Sequence, residues 1–347
     1  MYEIDLSVVT VSWNVRELLH RCLASLTHGT APSPQGLFPL PGERTLQILV
    51  VDNASSDGSA EMVRQSFPGV QVLASANRGF AAGNNAGIAA SRGRYVLLLN
   101  PDTEVAGDAL TTLLDYMDAH PDVGVAGPQL RYPDGRRQPS RRRFPTPLTG
   151  FWESTLLQRC FPRNRWAARY YVLDQPDDAE ADVDWLVGAA LLVRREAIAQ
   201  AGLLDEGYFM YSEEMEWCRR IRMQGWRVVY QPAAVVIHHE GRSSEQVVAA
   251  RHLYFQTSKL RYYRQVHGPL WTAALRGFLL ATYTYDWAIE GAKWLVGHKR
   301  PLRAARLAAY GQVLRSGLPP AAGAAVGAVP EPPPVREPLE PPQGGRP

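Results

Sequence analysis

The chain has 347 residues, 46% hydrophobic and 20% charged, which excludes a disulfide-stapled miniprotein or a wholly disordered chain and allows one large domain or two compact ones. The formal net charge of +3 is unevenly spread: residues 131–169 hold ten Arg against Asp134 and Glu153, and residues 251–306 hold ten Lys or Arg against Asp286 and Glu290, leaving about −13 for the rest. With 34 Arg and three Lys (Lys259, Lys293, Lys299), the basic segments are built from forked groups that match phosphate geometry.

Met1-Tyr2-Glu3 leads into an apolar run with no basic stretch and no cleavage-site pattern, which predicts an intracellular, cytoplasmic protein. Leu6–Trp13 reads as a β-branched strand, and Val15, Leu18, Leu19, Cys22, Leu23 and Leu26 then recur at helical spacing. Residues 30–44, rich in Pro and Gly, are expected to form a surface loop. Leu46–Val51 reads as a strand, Ser59–Phe67 as a helix with Ser59 placed to cap it, Val70–Leu73 as a strand, Ala81–Ala90 as a helix and Tyr95–Leu99 as a strand. This alternation predicts an α/β fold, a mostly parallel central sheet with helices on both faces and ligands at the carboxyl ends of its strands.

Residues 134–182 combine the Arg-rich block with an acidic run (Asp174, Asp177, Asp178, Glu180, Asp182), and irregular, partly mobile structure is expected there. Order returns over Trp185–Val193, with helices near Glu196–Ala201 and at Glu213–Gln224, strands at Arg227–Tyr230 and Ala233–His238, and a long helix from about Glu245 to Val266. Along Pro269–Gly297, Arg276, Asp286, Glu290 and Lys293 fall within one sector of about 100° on a helical wheel, which predicts an amphipathic helix. Its apolar face fits either packing on the body or a dimer partner, or lying in a membrane interface beside basic residues. From Leu318 to Pro347 ten of thirty residues are Pro, the composition of a disordered tail. Cys22, Cys160 and Cys218 are too widely spaced for a metal site and odd in number, so reduced thiols are expected.

Several strands end in chemically active residues. Val50-Val51-Asp52-Asn53 places an acid where it can accept from a base or ribose. Asn77-Arg78-Gly79-Phe80, followed by Gly83-Asn84-Asn85-Ala86-Gly87, sets glycines, amides and Arg78 at a helix start, where free N–H groups suit phosphate; tight helix packing explains the glycines equally well. Leu99-Asn100-Pro101-Asp102 ends an apolar strand in an amide and a carboxylate, either a simple turn or ligands for a hard cation on phosphate. Glu213, Glu214 and Glu216 crowd a helix N-terminus, where acids complement the dipole, or where one aimed into a cleft is a general base. Val235-Val236-Ile237-His238-His239-Glu240-Gly241 ends a strand in two imidazoles, structural or metal-binding.

In this order, and together with Thr10-Val11-Ser12-Trp13-Asn14 and Gly188-Ala189-Ala190-Leu191-Leu192-Val193, these motifs closely resemble the family 2 inverting glycosyltransferases, in particular their rhamnosyltransferase-like branch, over roughly residues 5–267. The resemblance implies a GT-A fold at 1–267, with a nucleotide-binding half of about 1–128 and an acceptor half of about 129–267, followed by amphipathic helices at 268–317 and the tail at 318–347. It implies that Thr10, Ser12 and Asp52 contact the nucleoside, and that Arg78 with the Gly79–Asn84 turn lies near the sugar-diphosphate. Asp102 matches the last acid of an Asp-X-Asp metal motif whose first position is Asn100 here, and His238 the histidine that closes the metal and diphosphate site. The implied cofactor is Mg²⁺ or Mn²⁺. Glu214 matches the base, as a Glu where the motif has Asp, and Glu213 stays an alternative.

Mechanistically, the resemblance implies that the base takes a proton from an acceptor hydroxyl attacking the anomeric carbon opposite the nucleoside diphosphate, with dTDP-rhamnose as the first expected donor ahead of UDP- or GDP-sugars. A saccharide or lipid-linked acceptor, and with it peripheral association with the inner face of the cytoplasmic membrane, follows by the same resemblance. A sugar-phosphate nucleotidyltransferase would need a glycine-rich basic loop after the first strand, where Ser12-Trp13-Asn14-Val15-Arg16 enters a helix instead. Nucleic-acid binding by Arg136, Arg137, Arg141, Arg142 and Arg143 rests on charge without an accompanying motif. Both basic blocks are therefore expected to flank the acceptor entrance and face an anionic membrane or a phosphate-bearing lipid.

Overall fold

The structure, a computed structural model, describes residues 3–239 and 248–320. Glu240-Gly241, the first residues of the helix expected from Glu245 and residues 321–347 lie outside them. One mixed sheet organises the body. Strands β1 (Ile4–Ser12), β2 (Phe38–Leu40), β3 (Arg44–Asn53), β4 (Gln71–Ser75), β5 (Gly93–Leu99), β6 (Thr103–Val105) and β7 (Val123–Arg131) come from the first part of the chain. The short β8 (Arg137–Gln138), β9 (Arg141–Arg142), β10 (Ala181–Asp182) and β11 (Trp185–Leu186) precede β12 (Ala190–Arg194) and β13 (Arg227–His238). The main path runs β10-β13-β7-β12-β5-β1-β3-β2, with β4 on β3, β6 on β13 and β8 on β7; β9 and β11 form a separate pair. Strands β4, β3, β1 and β5 are mutually parallel, β12 runs antiparallel between β5 and β7, and β7 and β13 are again parallel.

Near-continuous apolar strands are covered on both faces, as a parallel sheet requires. Leu6 and Val8 of β1, with Ile48 and Val50 of β3, pack on one side against α1 (Arg16–Thr27), α2 (Ser59–Ser66) and α4 (Ala109–Ala119). Val9 and Val11, with Leu49 and Val51, face the other side, which carries α3 (Phe80–Ala90), α8 (Arg195–Ala201), α9 (Glu213–Met223), α10 (Val248–Val266) and α11 (Gly268–Leu295). Packing accounts for two of the α3 glycines: a Cβ at Gly83 would sit 2.8 Å from Val11, and one at Gly87 would collide with Val9.

Several expectations change. Residues 30–44 are not simply a loop, because Phe38–Leu40 pairs antiparallel with β3 and buries Phe38. The two strands expected at 227–238 are one, broken by a register shift between Gln231 and Val235. Helix α2 has Gly58 at its N-cap rather than Ser59, and Asp57 before it accepts from the Ser59 N–H (3.0 Å) and hydroxyl (2.6 Å).

The segment expected to be irregular holds short helices at α5 (Thr149–Trp152), α6 (Leu156–Cys160) and α7 (Arg165–Tyr170), tied down by charge. Arg141 is buried, 2.7 Å from Asp177 and donating to the carbonyls of Gln175 and Pro176; Arg143 meets Asp174 at 2.8 Å and Arg136 meets Asp134 at 2.7 Å. Asp182 and Asp184 are taken by Arg227 and Arg222. Part of the first basic block is thus neutralised by the acidic run beside it in sequence, while Arg163, Arg165 and Arg169 are exposed.

Helix α11 buries Leu275, Leu279 and Tyr283 against the body, and α12 (Arg300–Ser316) returns along it. Leu318, expected to begin the tail, is buried at its end. No described helix is long and apolar enough to cross a membrane.

Candidate active site

At the carboxyl ends of β1 and β3 the apolar face gives way to polar groups. Thr10 and Ser12 continue the face begun by Leu6 and Val8, and Ser12 sits in register with Asp52. The Thr10 and Ser12 hydroxyls and Asp52 Oδ1 are buried without a hydrogen-bond partner; Asp52 Oδ2 accepts from Ser55 N at 3.2 Å. Leaving a buried polar atom unpaired costs about 1–3 kcal/mol, and three at one sheet edge mark a place shaped for a polar ligand. The loops after β1 and β3 are clamped together: Asn14 Oδ1 accepts from Ser56 N (2.8 Å), Asn14 N donates to Ser55 (3.1 Å) and Asp57 accepts from Arg16 N (2.8 Å).

Gly79 adopts φ +98° and its N-terminal turn lies against the backbone of Phe209, whose carbonyl accepts from Phe80 N at 2.7 Å; a Cβ at Gly79 would collide with that carbonyl. Arg78 is exposed and pairs with Glu206 at 3.4 Å. Asn84 is buried and donates to the Phe80 carbonyl of its own helix, at 2.9 Å, while Asn85 holds the loop at Leu204 and Glu206.

The turn after β5 is fixed from below and from the side. Thr103 donates to the Asn100 carbonyl (2.6 Å), Cys22 packs beneath it, and Asn100 N donates to the Ala189 carbonyl (2.9 Å). Burial pushes the Cys22 thiol up to about 12, an inert core group. Pairing of His238 with Thr103 brings the end of β13 over this turn, and the Asp102 carbonyl accepts from His239 N (2.8 Å). His238 Nε2 lies 3.3 Å from Asp102 Oδ1, while its Nδ1 donates to Gln138 Oε1 at 2.9 Å, the ring, the carboxylate and the amide all being buried. Fixing one imidazole nitrogen so that the other faces a carboxylate is how proteins aim a metal-ligating histidine. Asn100 Oδ1 is also buried and unpartnered. These donors fit a divalent cation, with the remaining ligands left to phosphate or water. Among the described residues no group of three or more His, Cys, Asp or Glu is placed to hold a metal ion together.

The acids of α9 are presented by strained backbone: Tyr211 (φ 73°) and Ser212 (φ 68°) are both left-handed immediately before Glu213. Glu213 is 3% exposed with Oε2 unpartnered; Glu214 is half-buried, accepts from Gly188 N at 3.4 Å and leaves its own Oε2 unpartnered. Burial raises both carboxyls above the usual carboxylate range; the charge of Glu214 adds to the rise at Glu213. At Glu214 the rise is opposed by backbone N–H groups, including that of Gly188, and by the positive charge of Arg142. Because Gly188 bonds Glu214 and the adjacent Ala189 bonds Asn100, the α9 acids and the Asn100–Asp102 turn share one supporting segment.

Sequence patterns did not single out Gln138, which lies inside the Arg-rich block, or Arg142, whose guanidinium stands 4.5 Å over the Tyr171 ring and donates to the Arg141 carbonyl (2.9 Å). Nothing in local spacing distinguishes Arg142 from its neighbours Arg141 and Arg143.

The fold and this strand-end arrangement define a glycosyltransferase of GT-A type. A mannosyltransferase from Pyrobaculum calidifontis, solved in complex with GDP-Man and Mn²⁺, shares the fold with a TM-score of 0.50 and 15% identity over 92% of this chain and 90% of that one. The family model for glycosyl transferase family 2 matches residues 7–176. An N-acetylglucosaminyl-diphospho-decaprenol L-rhamnosyltransferase of Mycobacterium tuberculosis is 32% identical over 305 residues, covering 84% of this chain and 92% of that protein. The rhamnosyltransferase WbbL of Escherichia coli K12 is 25% identical over 227 residues, 62% of this chain and 81% of its own. The chain belongs to glycosyl transferase family 2.

Proposed function

We propose that the protein is an inverting rhamnosyltransferase that moves rhamnose from dTDP-rhamnose to a hydroxyl of a lipid-linked saccharide at the inner face of the cytoplasmic membrane. The observation that carries the mechanism is the pair of unlike acid sites joined through Gly188 and Ala189. The donor and acceptor classes are supported by the names of the two rhamnosyltransferase relatives, one of which acts on an N-acetylglucosaminyl-diphospho lipid. In this reading residues 1–267 form the catalytic domain and 268–317 a helical appendage.

Thr10, Ser12 and Asp52 accept and donate hydrogen bonds to the nucleoside, recovering the cost of their unpaired atoms. The Gly79 turn, with Arg78 and Asn84 at the start of α3, borders the sugar-diphosphate. Asp102 and His238 would hold a divalent cation, Mg²⁺ or Mn²⁺, with Asn100 beside them, and when bound it neutralises charge on the departing diphosphate. Glu214 is the base: half-buried and oriented by the Gly188 N–H, it takes the proton of the acceptor hydroxyl as that oxygen bonds to the anomeric carbon and the bond to the diphosphate breaks. A single displacement inverts the anomeric centre. Burial raises the Glu214 carboxyl, and the charge of Glu214 in turn helps keep the almost fully buried Glu213 protonated.

The test is a donor screen with dTDP-rhamnose, UDP-sugars and GDP-sugars, with Mg²⁺ or Mn²⁺ and a lipid-diphosphate-linked N-acetylglucosamine acceptor, the product's anomeric configuration being read by NMR. Rhamnosyl transfer with inversion is expected. Retention, or a preference for a UDP- or GDP-sugar, overturns the corresponding part.

A further inference from the structure

Lys259 and Arg261 of the second basic block are paired with Glu153 and Asp205, and its last part differs. Residues 291–316 contain Lys293, Lys299, Arg300, Arg303, Arg306 and Arg315 and no Asp or Glu. Their nearest acid, Glu290, is buried in the hairpin made by α11 and α12, 2.7 Å from Arg303 and 3.5 Å from both Lys293 and Arg306. Breaking a buried pair of this kind is costly, so it holds the hairpin in one shape. Gly297 (φ +83°) and Lys299 (φ 47°) make the turn, and Arg300 lies over the Trp294 ring at 5.5 Å.

Beyond this clasp every residue from 292 to 302 is exposed. Leu295 is 71% exposed, Val296 81%, Trp294 39% and Leu302 44%, apolar residues on both sides of the turn, with Lys293, Lys299 and Arg300 next to them in sequence. A single exposed leucine needs no explanation, but a Trp-Leu-Val run before the turn and Leu302 after it, all exposed and flanked in sequence by Lys293, Lys299 and Arg300, does. An aromatic side chain with a polar edge, short apolar residues and flanking Lys or Arg are the components that settle at the level of lipid headgroups.

We infer that the α11–α12 hairpin tip, centred on Trp294, Leu295, Val296 and Leu302 and flanked by Lys293, Lys299 and Arg300, inserts into the headgroup layer of an anionic phospholipid bilayer. This deepens the membrane reading above and rests on it. The excess of cations selects the occupant: a second copy of this tip would bring like charges together, whereas an anionic lipid surface offsets them. Of the two alternatives for Pro269–Gly297, packing on the body is met by Leu275, Leu279 and Tyr283. Each cation held near an anionic surface strengthens binding roughly fivefold.

The full chain is tested by co-sedimentation with vesicles of phosphatidylcholine, with and without phosphatidylglycerol, as wild type, as the Leu295→Glu/Val296→Glu variant and as Lys299→Glu/Arg300→Glu, alongside sugar-nucleotide hydrolysis and oligomeric state. Wild type should bind the anionic vesicles, with a blue shift in tryptophan emission. Both variants should bind at least about tenfold more weakly, with hydrolysis unchanged as evidence of folding. If wild type fails to bind anionic vesicles, the membrane reading itself fails. Should wild type bind and both variants bind equally well, only the tip assignment is overturned. Conversion of a dimer to a monomer by Leu295→Glu/Val296→Glu, without loss of vesicle binding, overturns it in favour of self-association.

Discussion

Two acidic sites share the Gly188–Ala189 segment as support, and their surroundings are opposite. Asp102 ends a strand beside an imidazole held at 3.3 Å, under a turn locked by Thr103, Cys22 and the Ala189 carbonyl. Glu213 and Glu214 start a helix beside each other, with each Oε2 unpartnered and burial raising both carboxyls. The first arrangement suits a positive charge placed against it; the second stores proton affinity. A transferase that expels a diphosphate while deprotonating a hydroxyl needs one of each.

Neutralising each site in turn should give different kinetic signatures. The largest expected effect is that of Glu214→Gln, which should lower kcat by on the order of a thousandfold with donor KM little changed, as measured in steady-state transfer assays. Asp102→Asn should cost roughly tenfold to a hundredfold in kcat/KM, mainly through a weaker donor complex and a higher divalent-cation requirement, read from cation titrations. Because Glu214 must be ionised to act and its carboxyl is raised, the acid limb of the wild-type pH profile should lie above the usual carboxylate range; a limb at an ordinary carboxylate position would remove Glu214 from the role.

The smallest effect concerns stability. A carboxyl raised in the folded state favours the protonated form there, so folding stability is full below the unfolded value and falls as pH rises toward the folded one. Replacing Glu213, the more deeply buried acid, removes this loss. Glu213→Gln should therefore raise Tm by several degrees at pH 8 and by about none at pH 5, in thermal melts at the two pH values. An equal change at both would show that Glu213 is not destabilised by ionisation.

The β1, β3 and β5 part of the sheet was legible because its strands are unbroken apolar runs that stop at Ser12, Asp52 and Asn100, so their ends showed in the sequence itself. Strand β7 carried no such signal: Gly124, Gly127 and Pro128 read as breakers. In the fold a Cβ at Gly124 would lie 2.6 Å from Trp226 and one at Gly127 2.7 Å from Leu186, while Pro128 sits beside the irregular part of β13. Those reasons are tertiary and have no local pattern.

Charge misled for a similar reason. The Arg-rich block was expected to face outward as a basic surface, yet two of its arginines take partners from the acidic run, Arg141 with Asp177 and Arg143 with Asp174. The α9 acids were visible as a cluster, but the left-handed Tyr211 and Ser212 that aim them, and the support from Gly188, come only with the fold. Gln138, which fixes His238, is a hundred residues away from it in sequence.

The division of labour between the acid sites is tested most directly by calorimetric titration of dTDP with Mn²⁺ into the wild type, Glu214→Gln and Asp102→Asn proteins. Binding to Glu214→Gln should match wild type within about twofold, and binding to Asp102→Asn should be at least about tenfold weaker. Equal affinity in Asp102→Asn together with lost affinity in Glu214→Gln would contradict the assignment of charge to one site and proton transfer to the other.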